Sequence, residues 1–131
     1  MKIKALWKKG HAFESWQEEN HIDIDGDRVK GVSPKSLLLS GLAGCSGIDI
    51  VDILEKMRVD FSEFTIDVET EQTVEHPRVF KDITITYKIK TAPENEDKVR
   101  KAAELSLEKY CGVSAMLKKN SAIDFKIVIK Q

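Results

Sequence analysis

The segment from Leu37 to Leu54 constrains this chain most. It is the most apolar stretch, and it contains three glycines spaced three residues apart, Gly41, Gly44 and Gly47. Each glycine inside a helix costs about 1 kcal/mol relative to alanine. That cost is offset where bare backbone lets a second helix or another subunit approach closely, or leaves space for a small molecule. The segment therefore predicts a helix with one face open to close approach.

Polar residues interrupt this segment and indicate that it does not span a membrane. They are Ser40, Ser46, Asp49 and Asp52. Carboxylates are costly in a helix that faces lipid. We therefore predict the buried helix of a soluble protein.

Alternation of apolar and charged side chains predicts the strands. It occurs in residues 3–8 and 22–25, and again in residues 63–71 and 83–89, with the period of half-buried strands. A turn at His76-Pro77 joins the second pair into a long hairpin. The first pair, with Ala12 to Trp16 between its members, predicts a small antiparallel sheet at the N-terminus.

Capping signals and helical spacing place the helices. The long helix is predicted to begin at Ser33-Pro34, because a serine oxygen caps free amides and proline suits the first helical position. Cations close its apolar pattern near Arg58. A second helix follows Asn95, with a break at Gly112, and residues 125–129 form a last strand. The order predicts a single α+β domain over residues 1–131, with helices packed on antiparallel sheet.

The balance of charges excludes two classes of partner. With 21 basic and 22 acidic residues the net charge is -1, so nothing attracts phosphate backbones or anionic membranes. Residues 1–10 lack the continuous apolar stretch of a secretory signal. We predict a cytoplasmic protein with no nucleic-acid or membrane partner.

Cys45 and Cys111 are the residues best suited to chemistry. In a reducing compartment two cysteines are more often reactive thiols or core packing than a structural disulfide. Cys111 lies where a helix can restart, and helix N-termini lower the pKa of a thiol. On this pattern alone, both cysteines remain open to the simpler interpretation of small buried hydrophobic residues.

The other ionisable residues add little to the cysteines. The three histidines, His11, His21 and His76, show no metal-ligand spacing, so we predict no metal and no cofactor. Asp49 lies one turn after Cys45, where a carboxylate raises the pKa of a neighbouring thiol. We expect Asp49 to bond to another polar group instead.

Three stretches resemble the OsmC/Ohr family of peroxide-reducing proteins. They are SPKSLLLSGLAGCS at 33–46, PRVFKDI at 77–83 and EKYCGVS at 108–114. Their order and spacing match along the chain, and IDIVDIL at 48–54 is similar to the YhfA-like branch of that family.

This resemblance implies an OsmC-like fold in an intertwined homodimer, with two long helices at the centre and each site built from both subunits. It implies that Cys45 attacks an organic hydroperoxide and becomes a sulfenic acid, with which Cys111 condenses to a disulfide. An external dithiol, such as a lipoyl protein, or a small thiol then reduces that disulfide.

The sequence departs from better-understood members at the start of the long helix. Those members have a glutamate there, paired with an arginine from the N-terminal sheet that stabilises the thiolate. Here the positions hold Lys35 and Ser36, and no arginine precedes Arg28. Lys35 is the candidate replacement cation, although a solvated lysine is an equal interpretation. The alternative function is therefore a redox-sensing or small-ligand-binding protein with little or no peroxidase activity.

Overall fold

The computed structural model describes all residues 1–131, which form two compact units, residues 1–39 and residues 40–131. In chain order the elements are β1 (Lys4–Lys9), β2 (Ala12–Gln17), β3 (Asn20–Asp25), α1 (Ser36–Lys56), β4 (Ser62–Gln72), β5 (Phe80–Lys90), α2 (Glu96–Leu105), α3 (Gly112–Leu117) and β6 (Ile123–Lys130). A short 3-10 turn, Pro93–Asn95, precedes α2, and a π turn, Ser106–Tyr110, follows it. These elements confirm the predicted α+β class, while the single domain over residues 1–131 stays a prediction.

The first unit contains a three-stranded antiparallel sheet in the order β1-β2-β3, as predicted. The loop after β3 is held by the Asp25 carboxylate, which accepts hydrogen bonds from the backbone N–H groups of Asp27 and Lys30, each at 2.9 Å. The prediction that the strands are half-buried is wrong for β1, which is exposed along its whole length. The reason is that alternation identifies the apolar face of a strand but not whether anything covers that face.

The second unit contains a three-stranded sheet in the order β4-β5-β6. Strands β4 and β5 form the predicted antiparallel hairpin, and Ile83, Ile85, Tyr87 and Ile89 on β5 are almost fully buried. Strand β6 pairs in parallel with β5, which corrects the expectation of purely antiparallel sheet. The chain passes through α2 and α3 between these two strands, and such a helical crossover lets a strand re-enter its sheet in the same direction.

Helix α1 begins slightly after its predicted start. Ser33-Pro34 belong to a turn in which the Ser33 carbonyl accepts hydrogen bonds from the backbone N–H and the hydroxyl of Ser36, at 3.2 and 2.7 Å. The predicted end near Arg58 is confirmed. Arg58 has a left-handed backbone (φ 59°), and the N–H of Val59 donates to the carbonyl of Leu54 at 3.0 Å, which caps the helix.

Only one face of α1 is buried by the rest of the chain. The buried residues are Leu42, Ser46, Gly47, Ile50 and Leu54. By length and composition α1 is apolar enough to cross a membrane, and 28% of its most apolar window is buried. The prediction of a buried helix therefore holds for one face only. Apolar residues also lie on the other faces of α1, and the rest of the chain does not cover them.

Candidate functional site

Cys45 lies in the middle of α1, at the edge of the buried face. Its side chain is partly exposed, whereas the adjacent Ser46 is fully buried. Ile48, one turn further on, is 65% exposed. The Cys45 thiol is thus accessible from solvent beside an apolar side chain.

Cys111 lies in the break between α2 and α3. After the π turn its backbone is extended (φ −78°, ψ 104°), and α3 begins at Gly112, so the predicted break and restart are confirmed. Its side chain is 3% exposed. The sulfur accepts a hydrogen bond from the backbone N–H of Ser114 at 3.3 Å. Cys111 therefore serves as the N-terminal cap of α3.

The fold brings the two thiols together although they are far apart in the sequence. Both are free thiols, and they lie close enough for Cys45 to affect the pKa of the Cys111 thiol. Burial raises the pKa of the Cys111 thiol above its ordinary value of 9.0, and the neighbouring Cys45 thiol raises this pKa further. The N–H of Ser114 acts in the opposite direction. The pKa is therefore raised, contrary to the lowering expected at a helix start, because the amide of a short helix does not offset desolvation.

A buried hydroxyl network lies beside the thiols. The Tyr87 hydroxyl donates to the Ser46 hydroxyl at 2.8 Å, and the Ser106 hydroxyl donates to the Asp49 carboxylate at 2.8 Å. Tyr87, Ser46 and Ser106 are all 0% exposed. The expectation that Asp49 bonds to a polar group rather than to Cys45 is confirmed.

The network residues gave little signal in the sequence. Tyr87 belongs to the alternating pattern of β5 and reads as a core residue, and the serines show no spacing typical of a site. Burial raises the pKa of Tyr87 to about 12, with smaller contributions from the charges of Cys111 and Asp49. The phenol, the carboxylate and the buried thiol thus lie within electrostatic range of one another.

An apolar groove of about 580 Å³ runs along α1 on the side of the glycines. Gly44, Gly47 and Ile48 form its wall on the helix, and Ile66 on β4 forms the opposite wall. A Cβ atom at Gly47 would come within 2.8 Å of the Ile66 side chain, whereas one at Gly44 would meet nothing. Gly47 therefore allows the close packing of α1 on β4, and Gly44 leaves the helix surface bare.

The remaining candidates lie in the first unit. Lys35 is exposed in the turn before α1, and its role as the activating cation stays a prediction. His21 lies near Glu14 and Asp23, with potential ligand atoms within 4.8 Å of one another. These carboxylates already have partners, because Glu14 contacts Lys8 at 3.8 Å and Asp23 contacts His21 at 3.6 Å.

The burial of the Tyr87 hydroxyl, which raises its pKa, predicts a pH-dependent stability. We expect Tyr87→Phe to lower the free energy of unfolding at neutral pH by about 1 kcal/mol, because one buried hydrogen bond is lost. The folded-state pKa of Tyr87 is about 12 and its ordinary value is 10.0, so the unfolded state loses this proton first as the pH rises. The wild type should then lose up to about 3 kcal/mol through this group, and the variant should overtake it.

Denaturant unfolding of both proteins at neutral pH and at several pH values above 10 measures this difference. A stability difference that stays constant across the alkaline range would contradict the raised pKa of Tyr87 in the folded protein.

Comparison with known proteins agrees with this fold. Residues 25–126 match the family of OsmC-like proteins. Protein YhfA of Escherichia coli K12 is 34% identical over 121 residues, which cover 91% of this chain and 90% of YhfA.

Solved structures extend the likeness to the whole chain. An OsmC-like protein from Mycoplasma pneumoniae has a TM-score of 0.86 at 16% identity, over 99% of this chain and 96% of that one. The organic hydroperoxide resistance protein OhrB of Bacillus subtilis has a TM-score of 0.62 at 18% identity, over 99% and 98% of the two chains. These two likenesses show the fold, and the family match together with the identity to YhfA shows that this chain belongs to the OsmC-like family.

Proposed function

We propose that this protein is a cytoplasmic peroxidase that reduces organic hydroperoxides, with Cys45 as the attacking thiol and Cys111 as the resolving thiol. The observation that supports this most is the proximity of these two free thiols, which lie close enough for Cys45 to raise the pKa of Cys111. Family membership and the fold shared with an organic hydroperoxide resistance protein support the same chemistry.

The first step uses the more accessible sulfur. The Cys45 thiolate attacks the terminal oxygen of the hydroperoxide, so that an S–O bond forms as the O–O bond breaks. The alkoxide takes up a proton and leaves as an alcohol, and Cys45 becomes a sulfenic acid. Ile48 lies one helical turn after Cys45 and Tyr110 directly precedes Cys111, and these side chains, 65% and 55% exposed, favour an organic substrate over hydrogen peroxide.

The second step uses the buried sulfur. Cys111 gives up its proton and attacks the sulfur of the sulfenic acid, and the displaced hydroxide leaves as water. A Cys45–Cys111 disulfide results. An external dithiol, a lipoyl protein or a small dithiol, restores both thiols by exchange and is itself oxidised to a disulfide.

A redox-sensing or small-ligand-binding role is the second candidate function. It is favoured by Lys35 and Ser36 at the start of α1, where related enzymes have the carboxylate of their activating pair. Steady-state consumption of tert-butyl hydroperoxide with excess dithiothreitol separates the two functions. A peroxidase turns over many equivalents, whereas a sensor is oxidised once and is then reduced slowly.

The proposed reaction predicts an intramolecular disulfide. One equivalent of tert-butyl hydroperoxide should convert the reduced chain to a form with a Cys45–Cys111 link, detected by peptide mass mapping. Cys111→Ser should instead accumulate a sulfenic acid at Cys45 that dimedone traps, and Cys45→Ser should not react at comparable rates. Two separately over-oxidised cysteines in the wild type would contradict the resolving role of Cys111.

Lys35 remains the candidate cation that activates Cys45. A nearby positive charge favours a thiolate over a thiol, so we expect Lys35→Met to shift the pH profile of Cys45 alkylation upward. Iodoacetamide labelling across a pH series measures that profile, with Lys56→Met as a control at the other end of the same helix. Identical profiles for wild type and Lys35→Met would assign the activation to another group.

We further propose that the chain forms a homodimer through the bare face of α1. Leu38 and Ile48 on this helix are 50% and 65% exposed, and Trp7 and Ile22 in the N-terminal sheet are 63% and 47% exposed. A soluble protein rarely leaves so much apolar surface without a partner. The open Gly44 surface, which lets a second helix approach closely, favours a second copy as that partner.

Gly44 provides a test of this assembly. In an isolated chain, Gly44→Ala should raise stability by about 1 kcal/mol, because alanine is the better helix former and nothing in the chain obstructs its Cβ. If a second helix packs closely on this surface, the large side chain introduced by Gly44→Leu should obstruct it and weaken the dimer. Light scattering at micromolar concentration should give a dimer for the wild type and for Gly112→Ala, whose Cβ is also unobstructed, and a monomer for Gly44→Leu. A monomeric wild type would refute the proposal.

A further inference from the structure

The π turn, residues Ser106–Tyr110, departs from the helical hydrogen-bond pattern immediately before Cys111. In an α-helix the N–H of Cys111 would donate to the carbonyl of Leu107. Here it donates to the carbonyl of Ser106 at 2.7 Å. The carbonyl of Leu107 accepts instead from the Ser114 hydroxyl at 2.9 Å and from the Lys118 ammonium at 2.6 Å. Side chains thus satisfy the group that the π turn releases, and the turn is not a frayed helix end.

Ser106, the first residue of the π turn, is anchored to α1. Its hydroxyl donates to the Asp49 carboxylate at 2.8 Å and lies 3.4 Å from the carbonyl of Ser46. Ser106 is 0% exposed, so water does not compete for this bond. Asp49 follows Cys45 by one turn on the same helix. One charge-assisted hydrogen bond therefore joins the helix of the attacking thiol to the turn that ends at the resolving thiol.

The position of the Cys111 sulfur depends on this turn. Disulfide formation requires a narrow range of distances and angles between the two side chains. A regular helix through residues 106–110 would pair the Cys111 N–H with Leu107 and rotate the cysteine away from its present position. Such irregular turns persist where the surrounding contacts fix them, and one of these contacts joins the turn to α1, the helix that carries Cys45.

We propose that Asp49 and Ser106 are positioning residues for the resolving step, because their hydrogen bond holds the π turn so that the Cys111 sulfur stays within reach of Cys45. This inference rests on the proposed function. Neither residue takes a proton from a thiol or touches the peroxide. Their effect is on the lifetime of the Cys45 sulfenic acid and on the stability of the disulfide.

The kinetic test compares oxidation and resolution in the full chain. Reduced protein is mixed with tert-butyl hydroperoxide, quenched over time with dimedone and analysed by intact mass. In Ser106→Ala and Asp49→Ala we expect the disulfide to form about tenfold more slowly, which is the effect of losing one charge-assisted hydrogen bond. In Ser106→Ala the initial oxidation of Cys45 should change less than about twofold, because the attacking thiol keeps its position and the Asp49 carboxylate is retained.

Two control variants separate positioning from a general loss of packing. Asp49→Asn keeps an oxygen that can accept from Ser106 and should recover most of the resolution rate. Ser121→Ala removes a buried serine hydroxyl that donates to the Phe80 carbonyl and accepts from the Asn120 side chain, and that has no hydrogen bond to the π turn or to α1. It should resolve at the wild-type rate even if it lowers the unfolding midpoint equally.

An equilibrium measurement tests the positioning independently of peroxide. The disulfide is formed with oxidised glutathione, and its reduction potential is measured against dithiothreitol. Ser106→Ala should make the disulfide easier to reduce by about tenfold, which corresponds to about 30 mV. If peroxide gives no disulfide in the wild type, the proposed function fails, while this measurement still decides the role of Ser106 and Asp49.

Equal resolution rates and equal potentials in wild type, Ser106→Ala and Asp49→Ala would overturn the inference. So would a slowing in Ser121→Ala as large as that in Ser106→Ala, since the effect would then reflect stability alone.

Discussion

The contacts of Ser46 hold together the part of the molecule on which the proposed chemistry depends. Its hydroxyl accepts from Tyr87 on the central strand, and its carbonyl lies 3.4 Å from the hydroxyl of Ser106, which begins the π turn. Sheet, long helix and turn therefore meet at the residue next to Cys45. Because Ser46 is fully buried, these polar groups form hydrogen bonds with one another instead of with water. Displacing the sheet, the helix or the turn would leave a buried polar group without its partner.

The elements of the fold that can be predicted from the sequence are those with a clear periodicity or a capping signal. Alternation located both arms of the long hairpin, and capping signals located the end of α1 at Arg58. The parallel pairing of β6 with β5 was missed, because the direction of a strand depends on the path of the chain through α2 and α3 rather than on the strand's own residues. Exposure of β1 was missed for a related reason, since a strand pattern does not reveal what covers it.

The candidate site also has features that can be predicted from the sequence and features that cannot. Cys45 and Cys111 were identifiable as residues, and the break before Gly112 was visible as a glycine in a helical pattern. Their contact was not predictable from spacing, and neither was the role of Ser106, which is one serine among many. The position of Ser106 results from the π turn, which shifts the hydrogen-bond register by one residue between α2 and Cys111. The helix propensities of individual residues do not predict a π turn.

The unequal burial of the two thiols orders the proposed reaction. A Cys111 thiol with a raised pKa stays protonated at neutral pH, so it is a poor competitor for peroxide and can donate a hydrogen bond toward Cys45. The same property governs the return step. A reductant reaches the partly exposed sulfur of Cys45, and Cys111 must then leave from the disulfide as a thiolate of high pKa, which is slow. A reductant with two thiols drives this exchange to completion, because its second thiol displaces Cys45 from the mixed disulfide before Cys111 can attack that disulfide again. The burial that keeps Cys111 in reserve during oxidation thus favours a dithiol over a monothiol as the electron donor.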